Sequence, residues 1–380
     1  MSIITLAPLP SFRELFLAAI HSALPEDTLA KPWLREVDYG VWFSRSAWSI
    51  LAIADSCARM KSKKDVVVWV PDFFCNASLA PLREYGVRLF FYKVTTELTP
   101  DLDWCRSQSA EMQPDLFILV HYFGELMLAN QVVQFCKDEG AWLIEDAAHV
   151  LRPIPGVGNN GDFVLYSPHK HLAIPDGAIL IIRENGPAQF GHNSIAFTGL
   201  KNIINSIACR SDRTWKYSFI WLAKRILQKL GIRKKIPKLP LWPESIQEQI
   251  SFPPPKMSSL AKSLLSVQIS TLDDVANLRK QHFQDWKEKL GIKNTNSWSL
   301  KHFSITTNPY LACIIGDDLR ATEDFYSSLQ MANLPVLTWP DLPPEVMAES
   351  ELHKNALNLR QNRFYLPIHQ TLTSSQIKEV

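Results

Sequence analysis

Amphipathic stretches and short apolar runs alternate along the first half of the chain. Helical spacing of apolar residues over 46–60 is followed by a continuous apolar run over 66–70, the kind that is buried on both faces of a parallel sheet. Strands that alternate with helices predict an α/β fold with a mostly parallel sheet and helices on both faces. The further predicted helices span 77–85 and 130–138, and the further predicted strands span 88–94, 116–120, 141–145, 163–166 and 178–182.

A run of prolines between 237 and 255 separates this pattern from a second one. Residues 260–290 have the spacing of one long amphipathic helix or of two shorter ones. We therefore predict a large α/β domain over 1–255 and a smaller C-terminal α/β domain over 256–380. In the smaller domain, strands are predicted over 310–315 and 364–367, with a helix over 319–331.

Composition is that of a soluble globular protein. Of the 380 residues, 46% are hydrophobic and 21% charged, which excludes disorder, collagen and coiled coil. The chain has no apolar run long enough to span a bilayer and no signal peptide at its start, so we expect a cytoplasmic protein. The six cysteines form no CxxC pair and have no zinc spacing, so we expect free thiols and no metal site.

The net charge of +2 hides a basic segment over 201–240. It contains eleven lysines and arginines against the single acid Asp212, interleaved with aromatic residues such as Trp215, Phe219 and Trp221. A basic helix with an aromatic face is typical of peripheral binding to a membrane surface. The same segment also suits an anionic substrate such as a nucleotide diphosphate, or an ordinary dimer-interface helix. No motif for binding nucleic acid accompanies it.

Polar side chains follow several predicted strands at the point where each strand ends. His121 follows one strand, Asp146 and His149 follow the next, and Ser167 and Lys170 follow the one after. In an open α/β sheet, ligands bind in the crevice beyond the carboxyl ends of the strands. We therefore expect these side chains to converge on one site.

This set of side chains is what pyridoxal phosphate requires. A lysine amine binds the aldehyde of that cofactor and later moves a proton, and a carboxylate keeps its pyridine nitrogen protonated. Lys170 and Asp146 are the candidates, and the segment 44–46, at the start of a predicted helix, is the candidate phosphate site. Phe73 and Phe74 are close enough in sequence to cover a flat ring. Taken singly, a loop lysine is usually a solvated surface residue, and the aspartate fits a helix N-cap equally well.

The sequence resembles the DegT/StrS-type sugar aminotransferases, pyridoxal phosphate enzymes of the aspartate aminotransferase fold (fold type I). The segment 121–149, which contains HYFG and LIEDAAH, is similar to the family's HxxG and EDAAH motifs. The segment 161–178 is similar to its GD, S, K and GDGG positions. Residues 43–47 resemble its phosphate loop, and 364–369 resemble its late LPxH motif.

The resemblance implies a role for each matching residue. Lys170 is expected to bind the cofactor covalently and Asp146 to contact the pyridine nitrogen. His149 is expected near the ring hydroxyl, and Ser46 and Ser167 near the phosphate.

Three further positions are less sharply defined. Arg45 is expected to meet the phosphate or a neighbouring carboxylate. His369 is expected either to act in catalysis at the active site or to be an ordinary hydrogen-bonded histidine. Phe74 is expected to replace the family's stacking aromatic, because Cys75 occupies that position.

One literal motif is expected to have no dinucleotide function. Residues 156–161, GVGNNG, match GxGxxG, but that fingerprint needs a strand before it and a helix after it. Here prolines precede it and an apolar run follows. We predict a turn.

The resemblance implies a homodimeric aminotransferase that moves an amino group from an amino acid to a nucleotide-linked keto sugar. Residues 253–257, PPPKM, stand where the family has GYNYRM, so its cross-dimer asparagine is missing and Lys256 replaces its arginine. Two alternatives use the same cofactor. One is an elimination reaction, and the other is amino transfer to a lipid-linked or non-sugar ketone. A non-catalytic scaffold is the alternative of a different class.

Overall fold

A computed structural model describes residues 4–127, 129–184, 186–190, 194–210, 214–232, 253–291, 298–301 and 308–379. Within these residues the chain forms a seven-stranded sheet and a four-stranded sheet. Part of the basic segment, 211–213 and 233–240, lies outside the described residues. The first three prolines of the predicted domain boundary also lie outside them.

The larger sheet carries the first half of the chain. Its strands are β1 (Tyr39–Phe43), β2 (Val67–Pro71), β3 (Arg88–Tyr92), β4 (Leu116–Val120), β5 (Trp142–Ala147), β6 (Phe163–Tyr166) and β7 (Ala178–Ile182). They are arranged in the order β1-β7-β6-β5-β4-β2-β3. β2 to β6 run parallel, and β7 is antiparallel to β6 and to β1. The predicted fold class, a mostly parallel α/β sheet, is confirmed.

Helices cover this sheet, and its central strands are therefore fully buried. The helices are α1 (Phe12–Ile20), α2 (Glu26–Ala30), α3 (Ser46–Met60), α4 (Ala80–Tyr85), α5 (Leu102–Ser109), α6 (Ala129–Glu139), α7 (Ile195–Ala208) and α8 (Thr214–Lys229). The bounds of α3 agree with the helix predicted over 46–60, because its apolar face, including Ile50 and Ala54, is completely buried.

The smaller sheet and six further helices form the rest of the described chain. They are α9 (Ser259–Gln268), α10 (Leu272–Gly291), β8 (Trp298–Leu300), β9 (Ala312–Gly316), α11 (Leu319–Met331), β10 (Leu337–Thr338), α12 (Pro344–Ala348), α13 (Lys354–Gln361), β11 (Arg363–Leu366) and α14 (Ser374–Lys378). A 3₁₀ turn, Ile269–Thr271, separates α9 from α10, so the predicted amphipathic stretch is two helices. Leu264 of α9 and Val275 of α10 share an apolar cluster with Ile179 of β7. The domain division at residue 255 stays a prediction.

The first described residues pack against the last. Ile4 belongs to the apolar cluster of the smaller sheet, together with Ile368 and Ile377. The hydroxyl and carbonyl oxygens of Thr5 both lie within hydrogen-bonding distance of His369 Nε2. The two ends of the described chain therefore build one core.

Candidate active site

A cavity lies at the carboxyl ends of β4 and β5 and beside the turn that follows β6. Four of the five parallel strands of the sheet end near it, as expected for a ligand site in an α/β sheet. Five residues predicted from sequence, Ser46, Phe74, Asp146, His149 and Lys170, are brought together here. The other lining residues are Cys75, Ser78, Val120, Ala148 and Trp339.

Lys170 and Asp146 face this cavity and interact electrostatically without forming an ion pair. Lys170 ends a 3₁₀ turn, Pro168–Lys170, and Asp146 is the fifth residue of β5. Burial lowers the pKa of Lys170, and the Asp146 carboxylate partly opposes that change. Burial raises the pKa of Asp146, partly opposed by Lys170 and by the amide of Ala148, which donates to Asp146 Oδ1 at 2.9 Å. No carboxylate of the described chain lies within ion-pair distance of Lys170 Nζ.

His149 is held as a neutral imidazole with a defined tautomer. The backbone N–H of Phe123 donates to His149 Nδ1 at 3.2 Å, so a neutral ring carries its proton on Nε2. The ring stacks on Tyr310, with centroids 4.6 Å apart and planes 9° apart. Burial, and to a smaller extent the charge of Lys170, lower the pKa of His149 well below its usual value. The ring can therefore donate one hydrogen bond at neutral pH.

A second buried pair lies beneath Asp146. His121 Nε2 is 2.7 Å from Glu145 Oε2, and both side chains are fully buried. Burial raises the pKa of Glu145, but His121 and the amides of Asn160 and Gly161 outweigh it and hold that pKa below its usual value. The amide of Gly158 also donates to the same carboxylate at 2.9 Å.

The GxGxxG segment over 156–161 is a turn, as predicted. Its backbone N–H groups at Gly158, Asn160 and Gly161 surround the Glu145 carboxylate. The backbone N–H groups of this turn therefore bind a carboxylate of the protein itself. Gly158 has φ +68°, and a Cβ there would lie 2.7 Å from the Tyr166 hydroxyl.

The start of α3 forms another side of the site. Arg45 is the N-cap residue and no side chain of the described chain caps this helix end, so the positive end of its dipole faces outward next to Ser46. The Arg45 guanidinium donates to the carbonyls of Ser44 and Pro175, both at 3.1 Å. Burial lowers the pKa of Arg45 and the nearby Asp176 partly opposes it. Ser167 Oγ is buried and has no hydrogen-bond partner among the described residues.

His369 does not line the cavity. Its Nε2 lies 2.7 Å from the carbonyl of Thr5, and its Nδ1 lies 3.0 Å from Thr371 Oγ1. Burial lowers the pKa of His369 to about 3, with the Thr5 bond opposing the change. The structure therefore places this residue in the packing of the smaller sheet, and its catalytic role stays a prediction.

Trp339 is a cavity residue that the sequence analysis did not identify. It follows β10 of the smaller sheet and stacks on Phe73, with centroids 4.3 Å apart. Phe73 is completely buried behind Phe74, which itself lines the cavity. The smaller sheet thus supplies one wall of the site, a contribution that no motif near Trp339 indicates.

The segment that replaces the family's GYNYRM packs onto the loop before α3. The amide of Ser44 donates to the carbonyl of Pro255 at 2.7 Å, and Trp48 Nε1 donates to the carbonyl of Pro253 at 2.9 Å. Met257 is buried, and its methyl group lies 2.9 Å from where a Cβ on Gly177 would be. The prolines therefore supply backbone oxygens to the loop before α3 and to the first turn of that helix.

No protein-family model matches the chain. Solved structures do share its fold. A DegT DnrJ EryC1 StrS aminotransferase from Brucella abortus matches with a TM-score of 0.66 at 13% identity, over 97% of this chain and 93% of that one. The chain has the fold of the DegT/StrS aminotransferases.

Two further structures extend this result. Helicobacter pylori PseC, an aminotransferase involved in the biosynthesis of pseudoaminic acid, matches with a TM-score of 0.65 at 12% identity, over 98% of this chain and 90% of that one. The Escherichia coli GDP-4-keto-6-deoxy-D-mannose-3-dehydratase, solved with hydrated PLP, matches with a TM-score of 0.67 at 14% identity, over 98% and 97%. The DegT/StrS fold, expected from the sequence motifs, is thereby confirmed.

Proposed function

We propose that this chain is a pyridoxal phosphate-dependent aminotransferase. The observation that carries the proposal is the placement of Lys170 and Asp146 in one cavity, at the strand ends of a fold that solved aminotransferases share. The amine and the acid line the same cavity without forming an ion pair, so both are available to a ligand there.

The residues present fit the cofactor. An amine of lowered pKa is a better nucleophile toward an aldehyde than an ordinary lysine. The Ser167 hydroxyl is an unpaired buried donor, and the start of α3 offers Ser46 and backbone N–H groups to a phosphate. Phe74 and His149 line the cavity and supply flat apolar and hydrogen-bonding surface.

When bound, the cofactor withdraws electrons from the carbon that loses or gains a proton. Asp146 would hold a proton on the pyridine nitrogen, because a carboxylate favours the positive form of a neighbouring base. Lys170 Nζ would take that carbon-bound proton and return it, and its lowered pKa suits a base that works near neutral pH. His149 would donate from Nε2 to the ring hydroxyl.

We infer an amino acid as amino donor and a nucleotide-linked keto sugar as acceptor. The shared fold with a pseudoaminic acid aminotransferase and a GDP-sugar dehydratase supports this substrate class. We further infer a cytoplasmic homodimer, as the sequence resemblance implies. We also infer that the divergent segment 253–257 alters contacts with the substrate or the partner subunit, because it packs on the loop before α3.

Elimination is the second candidate reaction. The Escherichia coli protein of the same fold is a dehydratase, so the fold is compatible with loss of water from a sugar. A reaction of this kind would use the same Lys170 and Asp146. The two reactions differ in their product, because transfer leaves the amino group on the sugar whereas elimination removes water from it.

The experiment is spectroscopic. We expect purified protein with added pyridoxal phosphate to be yellow, and Lys170→Ala to lose the absorbance of the covalently bound cofactor, while Lys137→Ala on the exposed face of α6 keeps it. Glutamate should then convert the wild-type cofactor to its pyridoxamine form. A yellow protein that glutamate leaves unchanged would contradict glutamate as amino donor, and a colourless one would favour a scaffold. A keto sugar that loses water without gaining nitrogen, measured by mass spectrometry, would favour elimination.

A further inference from the structure

Two neighbouring helices, α1 and α8, expose apolar stripes to solvent. Phe16 is 63% exposed and Phe219 is 66% exposed, values that are unusual for phenylalanine. The exposed apolar residues of the two helices and of the turn after α8, which we call the apolar surface, are Phe12, Phe16, Ile20, Trp215, Phe219, Ile220, Leu227, Leu230 and Ile232. We propose that the apolar surface docks on an anionic lipid bilayer.

The two stripes adjoin each other. Both helices pack on α9. Lys229, near the end of α8, donates to the carbonyl of Pro10 at 2.7 Å, and its ammonium lies 4.7 Å from the centre of the Phe12 ring. The C-terminal end of α8 is therefore fixed to the N-terminal end of α1. The apolar surface thus spans two helices, whereas the sequence pattern indicated only the basic segment.

Lysines outnumber acids on the two helices of the apolar surface. Lys216 and Lys224 stand exposed among the apolar residues of α8. Residues 194–210 and 214–232 contain no aspartate or glutamate. On α1, the one acid, Glu14, is bound to the backbone N–H of Ser11 in a capping box. Phospholipid head groups of negative charge would complement these lysines.

A bilayer complements both the exposed apolar residues and the exposed lysines better than a second copy of the chain does. A two-fold interface through this face would place the lysines of α8 on both sides of the contact, and Glu14 is the one acid that α1 and α8 could offer them. Lysine stems can extend beside buried aromatic rings and leave their ammonium groups in the head-group layer. No helix of the described residues is long and apolar enough to cross a bilayer, so α8 would lie along the surface.

The test is co-sedimentation of the full-length protein, loaded with pyridoxal phosphate, with vesicles. We expect binding to phosphatidylserine–phosphatidylcholine vesicles, weaker binding to phosphatidylcholine alone, and release by salt, because the Debye length is about 10 Å at 0.1 M salt. Phe219→Ser and Phe16→Ser should each weaken binding about tenfold. Met331→Ser, on α11, is the matched control, since Met331 is 65% exposed but lies elsewhere. Lys216→Gln combined with Lys224→Gln should weaken binding about 25-fold, with Lys287→Gln on α10 as control.

Several results would overturn the proposal. The first is a failure to sediment with anionic vesicles at low salt. The others are equal vesicle binding by Phe219→Ser and wild type, and equal binding of wild type to both kinds of vesicle. A fall in molecular mass of Phe219→Ser in sedimentation velocity would assign the surface to a subunit contact instead. Lys170→Ala should bind vesicles like wild type, so the outcome is independent of the proposed catalytic function.

Discussion

The imidazole of His149 and the phenol of Tyr310 are nearly parallel, 4.6 Å apart between centroids. His149 follows β5 of the larger sheet, whereas Tyr310 precedes β9 of the smaller one. The smaller sheet therefore fixes the orientation of a cavity residue that belongs to the larger sheet.

Removing the Tyr310 ring should release His149. We expect Tyr310→Ala to lower activity roughly tenfold, since such ring pairs contribute about 0.5–1.5 kcal/mol. The pKa of His149 should rise toward its usual value because water replaces the ring, and NMR titration of the imidazole measures that change. Tyr310→Phe keeps the stack and should behave like wild type; a similar loss in both variants would contradict this role.

Replacing Asp146 should separate cofactor binding from catalysis. We expect Asp146→Asn to keep the fold and to lower turnover by about 10²-fold or more, because a fixed charge at the reacting system is lost. The carboxylate also raises the pKa of Lys170, so covalent cofactor binding should persist to lower pH in the variant. Absorbance titrated against pH measures this, with exposed Asp274→Asn as control. An unchanged turnover would rule out the assigned role.

The Glu145 carboxylate should be essential for stability. Both oxygens accept hydrogen bonds, from His121 and the turn over 156–161, so the amide of Glu145→Gln would direct N–H groups at other donors. Leaving a buried hydrogen-bonding group without its partner costs about 1–3 kcal/mol, and more when the group is charged. Denaturant unfolding should show a loss of that order, and exposed Glu84→Gln should show none. A loss below about 1 kcal/mol would contradict the buried pairing.

Stability should fall in mild acid. The pKa of His369 is about 3 in the folded chain against 6.5 for an ordinary histidine, so only the unfolded chain takes up this proton between those values. Stability from this group is complete above pH 6.5 and is lost as the pH falls toward 3, by up to about 1.4 kcal/mol per pH unit.

Urea unfolding at a series of pH values measures that slope. His369→Gln keeps a donor for the Thr5 carbonyl but does not titrate, so its slope should be shallower than that of wild type. Part of the slope should remain, because burial also lowers the pKa of His149, His169 and His171. Identical slopes would show that His369 is protonated in the folded chain.

The spacing of apolar residues predicts those helices and strands that are buried along one face or on both faces. The helix over 46–60 and the strand β4 are correct to the residue, because each has one continuous pattern of burial. β1 was not predicted, although it pairs with β7 along its whole length. That pairing is non-local, and no pattern within residues 39–43 specifies it.

The sequence predicts those site residues that follow strands ending at one edge of the larger sheet. Asp146, His149 and Lys170 come together because the strands before them end at the same edge. Trp339 and Tyr310 belong to the smaller sheet, whose approach depends on packing between distant segments. No helix was predicted over residues 12–20, so the exposed apolar residues of α1 are known from the structure alone.

The contacts of Ile4 and Thr5 with the end of the described chain have a consequence for biosynthesis. These residues are the first of the described chain to leave the ribosome, yet their partners, His369 and Ile377, are among the last. The larger sheet can form while translation continues, but this core cannot form before residues 368–377 have been synthesised. Until then Ile4 lacks the apolar partners that bury it, and Thr5 lacks the imidazole that its carbonyl contacts.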